Sequence, residues 1–108
     1  MSKQNNGMSE AYSYILFALV EPLHGYGIMQ KVSEMSFNSV NLGPGTMYGA
    51  LTNMQKKQWI EEVDSDEARR KNYQLTELGM QVVEQEVQRI SLLRTAAESC
   101  LKQLRGTS

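Results

Sequence analysis

The chain has 108 residues, enough for one domain with a single modest core and one appended element. Its composition, 41% hydrophobic and 21% charged with one cysteine and one histidine, excludes a disordered chain, a disulfide framework and a Cys/His metal cluster, so no cofactor is expected. The formal net charge of −1 argues weakly against a nucleic-acid binder, whose surface usually carries a basic patch.

The distribution of charge matters more than its sum. Residues 42–57 contain two lysines and no acid, and residues 69–71 form a second basic cluster. The longest apolar run, residues 14–20, is far too short to span a bilayer, and the polar start lacks the order of a signal peptide. We therefore expect a cytoplasmic location and no membrane partner.

The first predicted helix begins after Ser9, which is suited to cap it, and runs towards Pro22. A strand is the rival interpretation for residues 14–20, but the helix-forming lead-in and the total length favour a helix. Because this helix is apolar on most faces, Tyr14 and Phe17 are expected to meet something beyond the local core, and a partner subunit is a candidate.

A short second helix is predicted within residues 23–35, where apolar residues share one face. His24 has no evident carboxylate or nucleophile beside it, so a structural role is favoured over that of a catalytic base. Residues 37–42 are polar and irregular apart from Val40 and Leu42, which could add a short strand.

Residues 42–57 predict a third helix with two unlike faces. Met47, Leu51 and Met54 recur at helical spacing and form a stripe suited to a core. The opposite face carries no acid and offers small, hydroxyl and amide groups that suit base edges or phosphates. Its members are Thr46, Tyr48, Gly49, Thr52, Asn53 and Lys56. An ordinary amphipathic surface helix is the alternative interpretation.

Alternating patterns at residues 59–63 and 71–75 predict a hairpin, with residues 64–70 as its turn. Such a hairpin after a helix-turn-helix would be a wing. Because acids near the tip would repel phosphate, the basic return limb must make any DNA contact. That limb consists of Arg69, Arg70 and Lys71. A solvated, charge-rich loop remains the alternative.

The last predicted helix begins at Glu77, after the capping Thr76, and runs to about Leu104. Apolar residues at spacings of three or four form a seam that resembles a coiled coil: Val83, Val87, Ile90, Leu93, Ala97, Leu101 and Leu104. At 1.5 Å per residue the helix would reach roughly 40 Å, too long for its own domain to cover. The seam therefore predicts a homodimer, against the alternative of a helix folded back on its own domain.

These elements predict a mainly α chain with a small β-hairpin, in the α+β class. Residues 1–76 would form a winged helix-turn-helix DNA-binding domain, and residues 77–108 a C-terminal dimerisation helix.

Four motifs stand in one order and spacing: Leu23–Tyr26, Pro44–Tyr48, Trp59–Glu61 and Arg70–Gly79. With them the chain resembles the PadR-family transcriptional regulators, in the smaller branch with a single C-terminal helix. The resemblance implies a dimer, usually a repressor, whose third helix enters the major groove and whose last helix pairs the subunits. Family members often control detoxification or efflux genes and lose DNA affinity when a phenolic or other aromatic effector binds.

The chain also departs from the family pattern. Gly49 stands where proline is frequent, and Asn72 replaces a common aromatic residue. Ile90 occupies the place of a tryptophan on which some relatives stack aromatic drugs, so ligand stacking between the dimer helices is not supported.

The sequence thus predicts a sequence-specific transcriptional regulator that binds an inverted-repeat operator in double-stranded DNA as a homodimer. A winged-helix module that docks on a protein without binding DNA is the alternative. An enzyme is the least favoured class, because no paired carboxylates, activated nucleophile or phosphate loop is present.

Overall fold

The computed structural model describes residues 9–65 and 70–106. Along the chain, the elements are α1 (Glu10–Ala18), β1 (Leu23–His24), α2 (Gly25–Met35), α3 (Pro44–Lys56), β2 (Ile60–Asp64), β3 (Lys71–Leu75) and α4 (Glu77–Leu104). The predicted fold class, a mainly α winged helix-turn-helix with a small sheet and a long last helix, is confirmed.

The first three helices enclose one core, as the apolar stripes predict. Ile15 and Leu16 of α1, Ile28 of α2, and Met47 and Leu51 of α3 are buried together. The predicted core stripe of α3 is therefore correct, and the opposite face of that helix is left at the surface.

Helix α1 begins as expected but ends early. The Ser9 hydroxyl oxygen accepts the N–H of Tyr12 and caps the helix. The prediction that the helix continues towards Pro22 is wrong, because α1 ends at Ala18. The N–H of Leu19 is shared between two carbonyl groups of the last turn, which tightens the helix end and turns the chain towards β1.

The third strand of the sheet is not where the sequence suggested. The predicted strand at Val40 and Leu42 is wrong, because the Ser36 hydroxyl bonds with the backbone of Val40 and closes a local turn. Leu23–His24 forms the strand instead and precedes α2, which begins only at Gly25.

The sheet has the order β1-β3-β2, and both pairs are antiparallel. The predicted hairpin is confirmed, with Ile60 opposite Leu75 and Asp64 opposite Lys71. The predicted turn over residues 64–70 lies partly outside the described residues.

Helix α4 has the predicted bounds and the predicted cap, since the Thr76 hydroxyl oxygen accepts the N–H of Gly79. Gly79 stands where a capping box would carry glutamate. The close approach of α4 to the residue before β2 requires glycine here, because a Cβ at Gly79 would lie 2.0 Å from the carbonyl oxygen of Trp59. The start of the C-terminal helix therefore packs directly against the base of the hairpin.

Only the beginning of α4 packs on the domain. Val82 and Val83 are half-buried against the core, and Glu86 is 4% exposed. From Val87 to Gly106 every side chain is exposed. Within the described part of the chain, no helix is both long and apolar enough to cross a membrane.

Candidate nucleic-acid interface

The exposed face of α3 is the first part of the candidate interface. All six residues predicted to face DNA lie at the surface, namely Thr46, Tyr48, Gly49, Thr52, Asn53 and Lys56. Gly43 is the N-cap of the helix in an extended conformation, Pro44 occupies the first turn, and no side chain caps the helix. A Cβ at Gly43 or at Gly45 would have no neighbour within 4 Å, so the start of α3 is clear of bulky groups.

Two side chains on this face are held by hydrogen bonds within the chain. The Asn53 amide donates to the Tyr12 hydroxyl of α1 over 2.9 Å. The Thr52 hydroxyl donates to the carbonyl of Tyr48 one turn earlier, also over 2.9 Å. Asn53 keeps its carbonyl oxygen and a second N–H for a partner, so this contact orients the amide without occupying it.

Tyr48 joins α3 to the start of α2. Its ring lies so close over Gly25 that a Cβ there would be 2.5 Å from the Tyr48 hydroxyl oxygen. A side chain at position 25 would force the Tyr48 phenol to shift, so the glycine allows the phenol to lie at the N-terminus of α2. The motif residues Gly25 and Tyr48, distant in sequence, therefore belong to one packed contact.

A cleft of about 350 Å³ opens beside this contact, between the N-terminus of α2 and the returning strand of the wing. Its walls are aromatic and basic: His24, Tyr26 and Tyr48 on one side, and Arg70, Lys71 and Tyr73 on the other. Burial raises the pKa of Tyr73, a residue of β3 that lines the cleft and is 8% exposed.

Arg70 and Lys71, two of the three predicted wing contacts, border this cleft, whereas Arg69 lies outside the described residues. One guanidinium nitrogen of Arg70, Nη1, is 3.0 Å from Nε2 of His24. The two residues meet because β1 pairs with β3 and sets His24 opposite Asn72.

Lys71 faces a local acid as well. Its ammonium group is 3.4 Å from Glu62 on the neighbouring strand. Hydrogen bonds from Gln55 and then from Lys71 lower the pKa of the Glu62 carboxyl, which is therefore charged at neutral pH. Glu62 offsets part of the positive charge of Lys71.

Sequence reasoning correctly gave His24 a structural role but missed its place in the cleft. The imidazole nitrogen Nδ1 accepts the N–H of Gly27 and caps α2. Tyr26 and Tyr73 were also missed as lining residues. The His-Gly-Tyr run was visible in the sequence, but its nearness to the wing depends on a strand of two residues.

The residues of the predicted dimer seam lie in two different environments, one buried against the domain and one exposed. Val83 packs on the chain's own core, whereas Val87, Ile90, Leu93 and Leu101 are among the exposed large apolar residues of α4. Ala97 and Leu104 continue this exposed row. Tyr14 and Phe17 of α1 are half-buried, and Tyr14 contacts the core.

Comparison with known proteins places this arrangement in context. The model of the transcriptional regulator PadR-like family matches residues 15–85. A PadR family transcription regulator from Clostridium difficile matches with a TM-score of 0.74 and 30% identity, over 86% of this chain and 99% of that chain. A PadR-like transcriptional regulator from Bacillus cereus, with a TM-score of 0.71 and 24% identity over 85% of this chain and 90% of that one, shares the fold.

A curated sequence is also similar. An uncharacterized 37.1 kDa protein in a transposon of Streptomyces fradiae is 33% identical over 86 residues, which make up 79% of this chain. The matched region spans 24% of that relative, so the likeness concerns about a quarter of its length.

Proposed function

The chain belongs to the PadR-like family of transcriptional regulators, and we propose that it is a homodimeric repressor that binds an inverted-repeat operator in double-stranded DNA. Members of this family are transcriptional regulators and not enzymes. The observation that carries the proposal is the continuity of the acid-free face of α3 with the basic cleft beside the wing.

In this proposal the α3 face reads bases and the basic side chains bind phosphates. Thr46, Tyr48, Gly49, Thr52 and Asn53 enter or border the major groove, while Lys56, Arg69, Arg70 and Lys71 contact the backbone. Hydroxyl and amide groups on an exposed helix support the first role. The position of Arg70 and Lys71 on the wall of the cleft supports the second.

We assign dimerisation to residues 77–108 and DNA binding to residues 1–76. The exposed apolar residues on the last two thirds of α4 support a second copy of the chain as their partner. In the proposed dimer the seam from Val83 to Leu104 pairs across a two-fold axis, with Tyr14 and Phe17 at its edge. The two α3 helices would then be related by that axis.

The proposed biological role follows from the resemblance to the family. The repressor would act in the cytoplasm on detoxification or efflux genes and would leave its operator when a small aromatic or phenolic compound binds. Because Ile90 replaces the stacking tryptophan of some relatives, such an effector would bind in another way than by stacking on that residue.

The test is to recover the genomic fragments that the full chain binds and to compare their affinity with that of a mixed-sequence duplex. We expect at least about a thousandfold preference for the selected site, and affinity for both duplexes that falls steeply with salt. A protein that binds neither duplex at low salt would contradict DNA binding and favour the protein-docking module.

A further inference from the structure

The hydrogen bond that caps α2 determines which nitrogen of the His24 imidazole can donate. Its Nδ1 atom accepts the N–H of Gly27 over 3.1 Å, which completes the cap of α2. A ring nitrogen that accepts a hydrogen bond carries a lone pair, so the ring nitrogen left to carry a proton in this cap is Nε2. Nε2 is therefore a hydrogen-bond donor.

This donor faces another donor. Nε2 of His24 is 3.0 Å from Nη1 of Arg70. A guanidinium group stays protonated, and all of its nitrogen atoms are hydrogen-bond donors. Two donors cannot bond to each other, but one oxygen anion beside them can accept from both. The facing N–H groups of His24 and Arg70 therefore form a site suited to one oxygen anion, and we call this pair of residues the anion clamp.

The surroundings of the pair also suit an anion. Tyr26 and Tyr48 bring phenolic hydroxyl groups to the same cleft, and Lys71 adds a second cation on the wing. The N-terminus of α2, a helix of 11 residues, contributes its partial positive charge and backbone N–H groups. Glu62 on the neighbouring strand is paired with Lys71.

We propose that His24 and Arg70 together bind one backbone phosphate of duplex DNA. The inference rests on the proposed DNA binding and assigns one contact of that complex. A backbone phosphate is favoured over free phosphate because Tyr48 belongs both to the cleft and to the exposed face of α3. A duplex lying on that face would bring a phosphate to the clamp, and His24 would fix the position of the strand as well as cap α2.

His24 is the chain's only histidine, so its ring nitrogens can be followed by NMR without ambiguity. Uniformly ¹⁵N-labelled protein is titrated with a mixed-sequence duplex of about 24 base pairs and, separately, with inorganic phosphate at equal phosphate concentration. We expect a proton on Nε2 and none on Nδ1 in the free protein. The duplex should shift the Nε2 signal while Nδ1 stays unprotonated, and inorganic phosphate should shift it much less.

A substitution can distinguish the two roles of His24, the capping of α2 and the proposed phosphate contact. His24→Asn keeps a side chain that caps helices well but removes the Nε2 donor. The variant should retain its melting temperature and bind the duplex at least about tenfold more weakly, the loss expected for a hydrogen bond to a charged group. Arg70→Gln should weaken binding at least as much, whereas Arg105→Gln, at the far end of α4, is the matched loss of charge and should have little effect.

Each contrary result has a distinct meaning. The duplex could bind without shifting the Nε2 signal and with the same affinity for His24→Asn as for the parent. In that case the proposed phosphate contact is wrong and the proposed DNA binding stands. A shift with inorganic phosphate and none with the duplex would overturn the assignment to DNA. If no duplex binds at low salt, the proposed function itself fails.

Discussion

At the residue scale, Phe37 occupies a position that helix ends usually give to glycine. It follows the C-cap Ser36 with φ 53°, in the left-handed region, and its side chain is 91% exposed. The next residue closes the helix through a bond from the Asn38 N–H to the Ser33 carbonyl. An aromatic residue in this conformation costs about 1 kcal/mol relative to glycine.

We therefore expect Phe37→Gly to raise the free energy of unfolding by about 0.5 to 1 kcal/mol, as measured by urea denaturation at fixed protein concentration. Phe37→Ala is the control, because it removes the ring and keeps the Cβ. If both variants gain equally, the exposed ring rather than the backbone is the source of the cost.

Asn53 tests whether α3 reads bases. If its amide makes a paired contact with a base, Asn53→Ala should lower discrimination at one operator position by about 1 to 3 kcal/mol and leave non-specific affinity nearly unchanged. Tyr12→Phe removes the group that orients the amide and should lower discrimination at the same position by less. Equal weakening on all sequences would identify a phosphate contact instead.

The bond between Tyr12 and Asn53 was beyond the reach of sequence reasoning. The spacing of apolar residues correctly placed Asn53 on the exposed face of α3. It could not reveal a partner 41 positions away, because that contact depends on how α1 crosses α3. The positive φ of Phe37 was hidden for a similar reason, since the residue type argues against it.

At the scale of elements, the long or strongly patterned segments were predictable. The capping residue Thr76 and the helical spacing of apolar residues after it predicted the bounds of α4. The alternation of polar and apolar residues predicted β3. Strand β1 was not predictable, because its two residues form a strand only by pairing with β3. The cleft depends on that pairing, so the sequence supplied Arg70 and Lys71 as wing residues without placing His24 beside them.

Glu86 ties α4 to α1 and fixes the direction in which the long helix leaves the domain. Its buried carboxylate accepts hydrogen bonds from the Ser13 hydroxyl and from two nitrogens of Arg89. The bonds from Arg89, and then the bond from Ser13, outweigh burial and lower the pKa of Glu86 in the folded chain.

A carboxyl group whose pKa is lower in the folded chain than in the unfolded chain stabilises the fold at pH values above its unfolded-state pKa. This stabilisation is lost as the pH falls through the folded-state pKa. Between pH 6 and pH 3.5 the parent should therefore lose more free energy of unfolding than Glu86→Gln does. We expect a difference of about 1 kcal/mol, kept small because Arg89 is half exposed. Parallel pH dependences in urea denaturation would show that the carboxylate contributes nothing.

At the scale of the whole molecule, the exposed part of α4 decides the assembly. Replacing Val87 and Ile90 with glutamate would set like charges across the proposed seam, and the chain should become monomeric by light scattering. The monomers should lose tight operator binding, because each half-site must then be bound independently. The matched control is the same pair of charges at Gln88 and Ser91 on the same stretch of helix. A dimeric Val87/Ile90 variant, or monomers that bind as tightly as the parent, would contradict the proposed role of α4.

In the proposed complex, a two-fold dimer holds two α3 helices at a fixed distance for two half-sites of one operator. The most direct measurement is the affinity of the parent protein for the selected operator before and after about five base pairs, half a helical turn, are inserted between the half-sites. The insertion moves the second half-site to the opposite side of the duplex, so affinity should fall towards that of a single half-site. An insertion of about ten base pairs keeps the side but increases the distance by roughly 34 Å, and affinity should stay low. Unchanged affinity for the operator with the shorter insertion would contradict the account.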